Sequence, residues 1–162
     1  MTELSSEMQL ALRACGWSEE YRYDLTEYES KVRAAGDALP APVRAFLTRF
    51  GGLEITVGDD NDSYINTNIT QFSLPAYANR LMKDDAPVKL PLLAIGTSHY
   101  DLMALLMDAD GAVYRHMVAS SQNCSGYDLH RIALSGVEAL NKLAVECHKG
   151  PHIAGEWVAH WE

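Results

Sequence analysis

The chain has 162 residues, 48% hydrophobic and 22% charged. That is the length and composition of a single globular domain, able to bury ~68–70% of its unfolded surface and to fold without a metal or a disulfide. A formal charge of −9, from 13 Lys and Arg against 22 Asp and Glu, argues against nucleic acid as a direct ligand, because phosphate binding needs clustered cations. No apolar run approaches the ~20 residues of a membrane span. Met1–Glu7 lacks the basic start and apolar centre of a signal peptide, so a cytoplasmic protein with no membrane association is expected. Cys15, Cys124 and Cys147 are widely spaced and form no C-x-x-C pair, which fits reduced thiols rather than a disulfide framework.

The predicted elements follow in chain order. Ser6 and Gln9 have capping-box spacing, Met8, Ala11, Leu12 and Cys15 mark one helical face, and Gly16 closes the helix. Thr26–Glu29 repeats the capping signal, with Val32 and Ala35 continuing a stripe to Gly36. Pro40-Ala41-Pro42 opens a third helix with Val43, Phe46, Leu47 and Phe50 on its apolar side. Leu53–Val57 and Ser63–Ile69 read as short strands, Pro75–Lys83 as a short helix, and Leu92–Gly96 as a buried strand. Leu102–Met107 and Val113–Val118 flank the turn Asp108–Gly111 as a hairpin, the first strand apolar on both faces and therefore covered on both. Asp128 is expected to cap a long closing helix with the stripe Leu129, Ile132, Ala133, Val137, Leu140, Leu143, Ala144 and Cys147, ended by Gly150-Pro151. With no internal repeat or linker, this order describes one α+β domain over 1–162, its core at about 8–147 and a tail at 148–162.

Charge is regional. Phe50–Asn79 and Leu90–Tyr114 contain no Lys or Arg, while Glu54, Asp59, Asp60, Asp62, Asp101, Asp108 and Asp110 fall within them. The bases lie almost entirely in segments that read as helical, leaving the β portion anionic. Other chemistries fit less well. Asp60-Asn61-Asp62 starts like a calcium loop, but the sixth position is Ile65 and the twelfth Gln71, where Gly and Glu are needed. Asp108–Gly111 reads as a turn, chosen for backbone conformation. Cys147, His148, His152 and His160 invite zinc, yet Gly150-Pro151 breaks the helix that would align them. No metal or cofactor is expected. A small hydrolase would need His99 and Asp101 with Ser98 or Cys124 as nucleophile, and no nucleophile-elbow motif is present. Trp17, after a helix stop, seals the core and needs a partner for its indole N–H. Trp157 and Trp161 would share a face if the tail were helical, and docking of the tail on the domain is the favoured reading.

Several anchors, in this order, resemble the SUKH superfamily (SMI/KNR-like) of bacterial immunity proteins, and its third subgroup in particular. They are Ala14-Cys15-Gly16-Trp17 with Tyr21-Arg22-Tyr23, Gly36, Phe46-Leu47…Phe50-Gly51-Gly52-Leu53, Pro91–Gly96 and Leu106–Tyr114. The resemblance implies a SUKH-like fold with N-terminal helices, a central mostly antiparallel sheet and a long closing helix. It also implies a non-enzymatic antitoxin, encoded beside a polymorphic toxin, that binds and blocks it. Many such toxins attack nucleic acid, so a basic partner is expected. Within this resemblance Glu54, Asp59, Asp60, Asp62 and Asp101, with Tyr64 and Tyr100, become the partner-binding candidates. Acid would steer association and aromatic anchors, among which Phe72, Tyr77 and Trp17 also count, would supply affinity. An interaction module of the same fold without a toxin partner is the alternative. The sequence sets no oligomeric state.

Overall fold

Three amphipathic helices come first in the computed structural model, which describes residues 2–57, 64–68, 88–98, 103–117, 128–149 and 156–160. Helix α1 (Ser6–Ala14) buries Met8, Ala11 and Leu12, α2 (Thr26–Ala34) buries Tyr28 and Val32, and α3 (Ala41–Phe50) buries Val43, Phe46, Leu47 and Phe50. The cap of α1 is Ser5 rather than Ser6: its hydroxyl accepts from the Met8 N–H at 3.2 Å, while the Gln9 side chain donates to the Leu4 carbonyl. No side chain caps α2. Instead Asp24 accepts from the Thr26 N–H and hydroxyl, and Ala35 is exposed, so the stripe of α2 runs through Tyr28 and Val32.

The last four carbonyls of a helix have no partner within it. In α3 each finds one. Leu47 O accepts from Gly51 N at 2.7 Å, Thr48 O from Tyr23 N at 2.8 Å, Arg49 O from the Trp17 indole at 3.0 Å, and Phe50 O from the Thr67 hydroxyl. The Tyr21 hydroxyl then donates to Gly51 O at 2.7 Å. The two glycines pass beneath the Tyr23 ring. A Cβ at Gly51 would lie 2.5 Å from Leu47 O and 2.6 Å from Tyr23 Cδ1, and Gly52 has φ +72°, a region that L-residues avoid. This explains why the helix stops on Gly-Gly and enters a strand there.

Among the described residues seven strands follow as an antiparallel meander in which every strand pairs with its sequence neighbour: β1 (Glu54–Thr56), β2 (Tyr64–Asn66), β3 (Leu93–Ser98), β4 (Met103–Met107), β5 (Val113–Met117), β6 (Asp128–Ala133) and β7 (Glu156–His160). Helix α4 (Gly136–Lys149) lies between β6 and β7 in the chain. Strand β4 is covered on both sides, as its composition predicts. Leu105 and Met107 join the core beneath the helices, while Ala104 and Leu106 join a second cluster with Leu92, Ala94, Tyr114 and Leu129. Burial of each large apolar side chain contributes roughly 1.5–3 kcal/mol. The predicted hairpin turn is held by Asp108, whose buried carboxylate accepts from Ala112 N (2.9 Å), Asp110 N (3.0 Å) and the Tyr114 hydroxyl (2.9 Å).

Two expectations are corrected. Residues 128–133 are strand, not the first turns of the closing helix, since they pair with β5 and β7; a bulge in the β5–β6 register between Ala133 and Arg131 leaves Ile132 without a partner in that register, and Ile132 and Ala133 both join the helix-side core. That places apolar residues at i, i+3 and i+4, which six residues cannot distinguish from a helix. The real start of α4 is Ser135, whose hydroxyl accepts from Glu138 N at 3.2 Å while the Glu138 carboxylate accepts from Leu134 N at 3.0 Å. The tail contributes β7, antiparallel to β6 with Trp157 opposite His130, so Trp157 lies in a strand and not on a helix face. Pro75–Lys83 and Trp161 lie outside the described residues.

Candidate functional site

Strand β1 sits at one edge of the sheet. Its alternation is strict: Leu53, Ile55 and Val57 are buried, while Glu54 and Thr56 are exposed. Ile55 pairs with Ile65 toward the helices, so the register puts Glu54 beside Asn66 and Thr56 beside Tyr64 on the opposite face. Glu54 and the half-buried Tyr64 therefore share that face. Of the other sequence-derived candidates, Asp59, Asp60, Asp62, Tyr100 and Asp101 lie outside the described residues, as do Phe72 and Tyr77.

The strand ends that flank these segments can be compared. Thr56 is opposite Tyr64, Ile65 opposite Ser98, and Ser98 opposite Met103. The β1–β2 and β3–β4 connections therefore both leave from the same end of the sheet. The Asp108–Gly111 turn joins the other end of β4 to β5.

The described ion pairs join Lys31 to Glu27, Arg33 and Arg44 to Glu29, Arg49 to Glu19, and Lys142 to Glu138. The Arg44 hydrogen bond, foremost, holds the Glu29 carboxyl below its ordinary range. Among the described residues no cation pairs with Glu54. The cations are nevertheless not confined to the helices, as the sequence suggested. Arg131 belongs to β6 rather than to a helix and lies opposite Tyr114, and Arg115 lies opposite His130. The β portion is thus not uniformly anionic: Glu54 is exposed on β1 and Asp110 at the β4–β5 turn, while β5 and β6 carry Arg115 and Arg131.

The remaining sequence candidates resolve as structure where they are described. Trp17 is 3% exposed, stacked on Phe50 with ring centroids 5.9 Å apart and with its indole N–H bonded to Arg49 O. Ser98 is buried at the end of β3, while His99, Asp101 and Cys124 lie outside the described residues. Among the described residues no group of three or more His, Cys, Asp or Glu could hold a metal, and no helix is long and apolar enough to cross a membrane.

The sequence anchors Gly16-Trp17, Tyr21…Tyr23 and Phe50–Leu53 thus converge on one place, the carbonyl end of α3. A family model described as SUKH-3 immunity protein matches residues 4–135, from just before α1 to the residue preceding α4. This chain belongs to the SUKH-3 immunity protein family. Comparisons with curated proteins and with solved structures return no match. Membership of SUKH-3 supports an immunity role.

Proposed function

We propose that this chain is a cytoplasmic immunity protein that binds a basic, nucleic-acid-attacking toxin and occludes its active site without turnover or cofactor. The partner-facing residues in this reading are Glu54, Asp59, Asp60, Asp62, Tyr64, Tyr100 and Asp101, within a single domain spanning 1–162. The observation that carries it is the shared departure of the β1–β2 and β3–β4 connections from one sheet end, next to a strand whose exposed Glu54 has no described cation partner. Acid presented in this way imitates a phosphate backbone and would accelerate encounter by roughly 10–10³-fold at low salt.

The test is co-purification with the protein encoded beside this chain, followed by Asp59→Lys, Asp60→Lys and Asp62→Lys together. Capture should weaken, more at ~50 mM than at ~200 mM salt because exposed charges are screened, with thermal stability nearly unchanged. Undiminished capture by the triple variant would remove this surface from the proposal.

A further inference from the structure

At the hairpin end of the sheet, a groove of about 260 Å³ lies between α3, the β4–β5 turn and the start of α4. Its apolar lining includes Phe46, Phe50 and Met107. Val137 and Leu134 form one wall, and Leu134 is 67% exposed, a large apolar side chain left in water beside an apolar cleft. The volume falls below the ~300–1,000 Å³ of sites that enclose a drug-sized ligand, so it suits one or two side chains of a protein.

Charge at the mouth selects among such side chains. Arg49 lines the groove, but its guanidinium already lies 4.9 Å from the Phe50 ring centroid and 5.6 Å from that of Trp17, with Glu19 at 3.6 Å. Asp110 also lines it, is exposed, and has no cation partner among the described residues. Its backbone N–H donates to the Asp108 carboxylate at 3.0 Å, which fixes the turn that carries it. An apolar floor with one uncompensated acid at the rim, on a chain of net charge −9, complements an aliphatic or aromatic side chain next to a Lys or Arg.

We propose that this groove receives an apolar anchor of the toxin, with an adjacent cation of the toxin meeting Asp110. This deepens the immunity reading and rests on it, but invokes a contact at the opposite end of β4 from the acidic connections. A rigid pocket filled by one anchor and ringed by near-neutral contacts is how a few residues come to dominate an interface.

The probe is the purified protein encoded beside this chain, its Kd measured by calorimetry against the full chain and three variants. Ala45→Arg, at an exposed α3 position lining the groove, and Leu134→Asp should each weaken binding at least tenfold while circular dichroism and Tm stay as in the wild type. Asp110→Lys should weaken it about three- to tenfold at low salt, and less at high salt. If either of the first two variants failed to fold, Leu134→Ala would replace it, with a smaller loss expected. Wild-type Kd in the folded groove variants would overturn the groove and leave the immunity reading standing. A wild-type chain that does not bind its neighbour would overturn both.

Discussion

Helix α3 presents two regions that the protein treats oppositely. At its carbonyl end each of the last four carbonyls is taken, by Gly51, Tyr23, Trp17 and Thr67, and the rings there pack together, Phe46 tilted against Phe50 at 5.4 Å and Phe50 stacked on Trp17 at 5.9 Å. Along the flank that carries Ala45 and Arg49, the same helix borders an open groove. The first region belongs to the fold, and the groove proposed for a partner shares Phe46 and Phe50 with it as its floor. Substitutions confined to the groove's exposed rim, such as those at Ala45 and Leu134, should therefore weaken binding and leave stability nearly unchanged, whereas those at the carbonyl end should cost stability.

The largest expected effect is that of Phe50→Ala, which opens a cavity in the stack and should cost about 3–5 kcal/mol, lowering Tm by roughly 10 °C or more in a calorimetric scan. An unchanged Tm would break the distinction between the two regions. Gly52→Ala should cost about 1–3 kcal/mol, since it combines a left-handed backbone with collision against the Tyr23 ring. Gly36 sharpens the point: it has φ +88°, and a methyl group placed there would meet nothing within 4 Å. Gly36→Ala should therefore show the backbone cost alone, and chemical denaturation of the two variants isolates the ring contact. Thr67→Val keeps the shape but strips Phe50 O and Leu53 N of their buried hydroxyl partner, for about 1–3 kcal/mol, measurable by urea unfolding.

The smallest effect concerns Glu138, whose carboxyl is held below its ordinary range first by the Lys142 hydrogen bond and then by Leu134 N–H. A depressed folded pKa means a contribution present above the unfolded value of ~4.3 and lost as pH falls through the folded one. Glu138→Gln should accordingly be less stable than wild type at pH 7, by about 0.5 kcal/mol for so exposed a pair, and the two unfolding curves should converge as the carboxylate is protonated in acid.

The fold was legible where a residue type has one structural use. Gly-Gly after an apolar helix stripe, Pro42 in a first turn, and Asp-x-Asp-Gly between apolar runs each point to one geometry, and α3, β1 and the β4–β5 turn match them. It was illegible where two periods coincide. Leu129, Ile132 and Ala133 satisfy a helix, and only the pairing with β5 shows a bulged strand. A local signal did exist, since Ser135-Gly136-Val137-Glu138 has capping-box spacing, but the longer stripe hid it. The sequence offers the candidate site only as charge, and most of its residues lie outside the described residues. Uncompensated acid can be counted along a chain, whereas the groove draws Phe46, Met107 and Leu134 from three separate elements, and Arg131 changed its meaning once it moved from helix to sheet.

The clasp at the end of α3 has one more consequence. Trp17, Tyr23 and Thr67 reach it from opposite sides in sequence, so the helix cannot fray there without releasing both the α1–α2 connection and the end of β2. Its outer flank is consequently expected to be a stiff platform. Recognition on such a platform incurs little ordering entropy, and differences in strength between partners should be expressed in how slowly they leave.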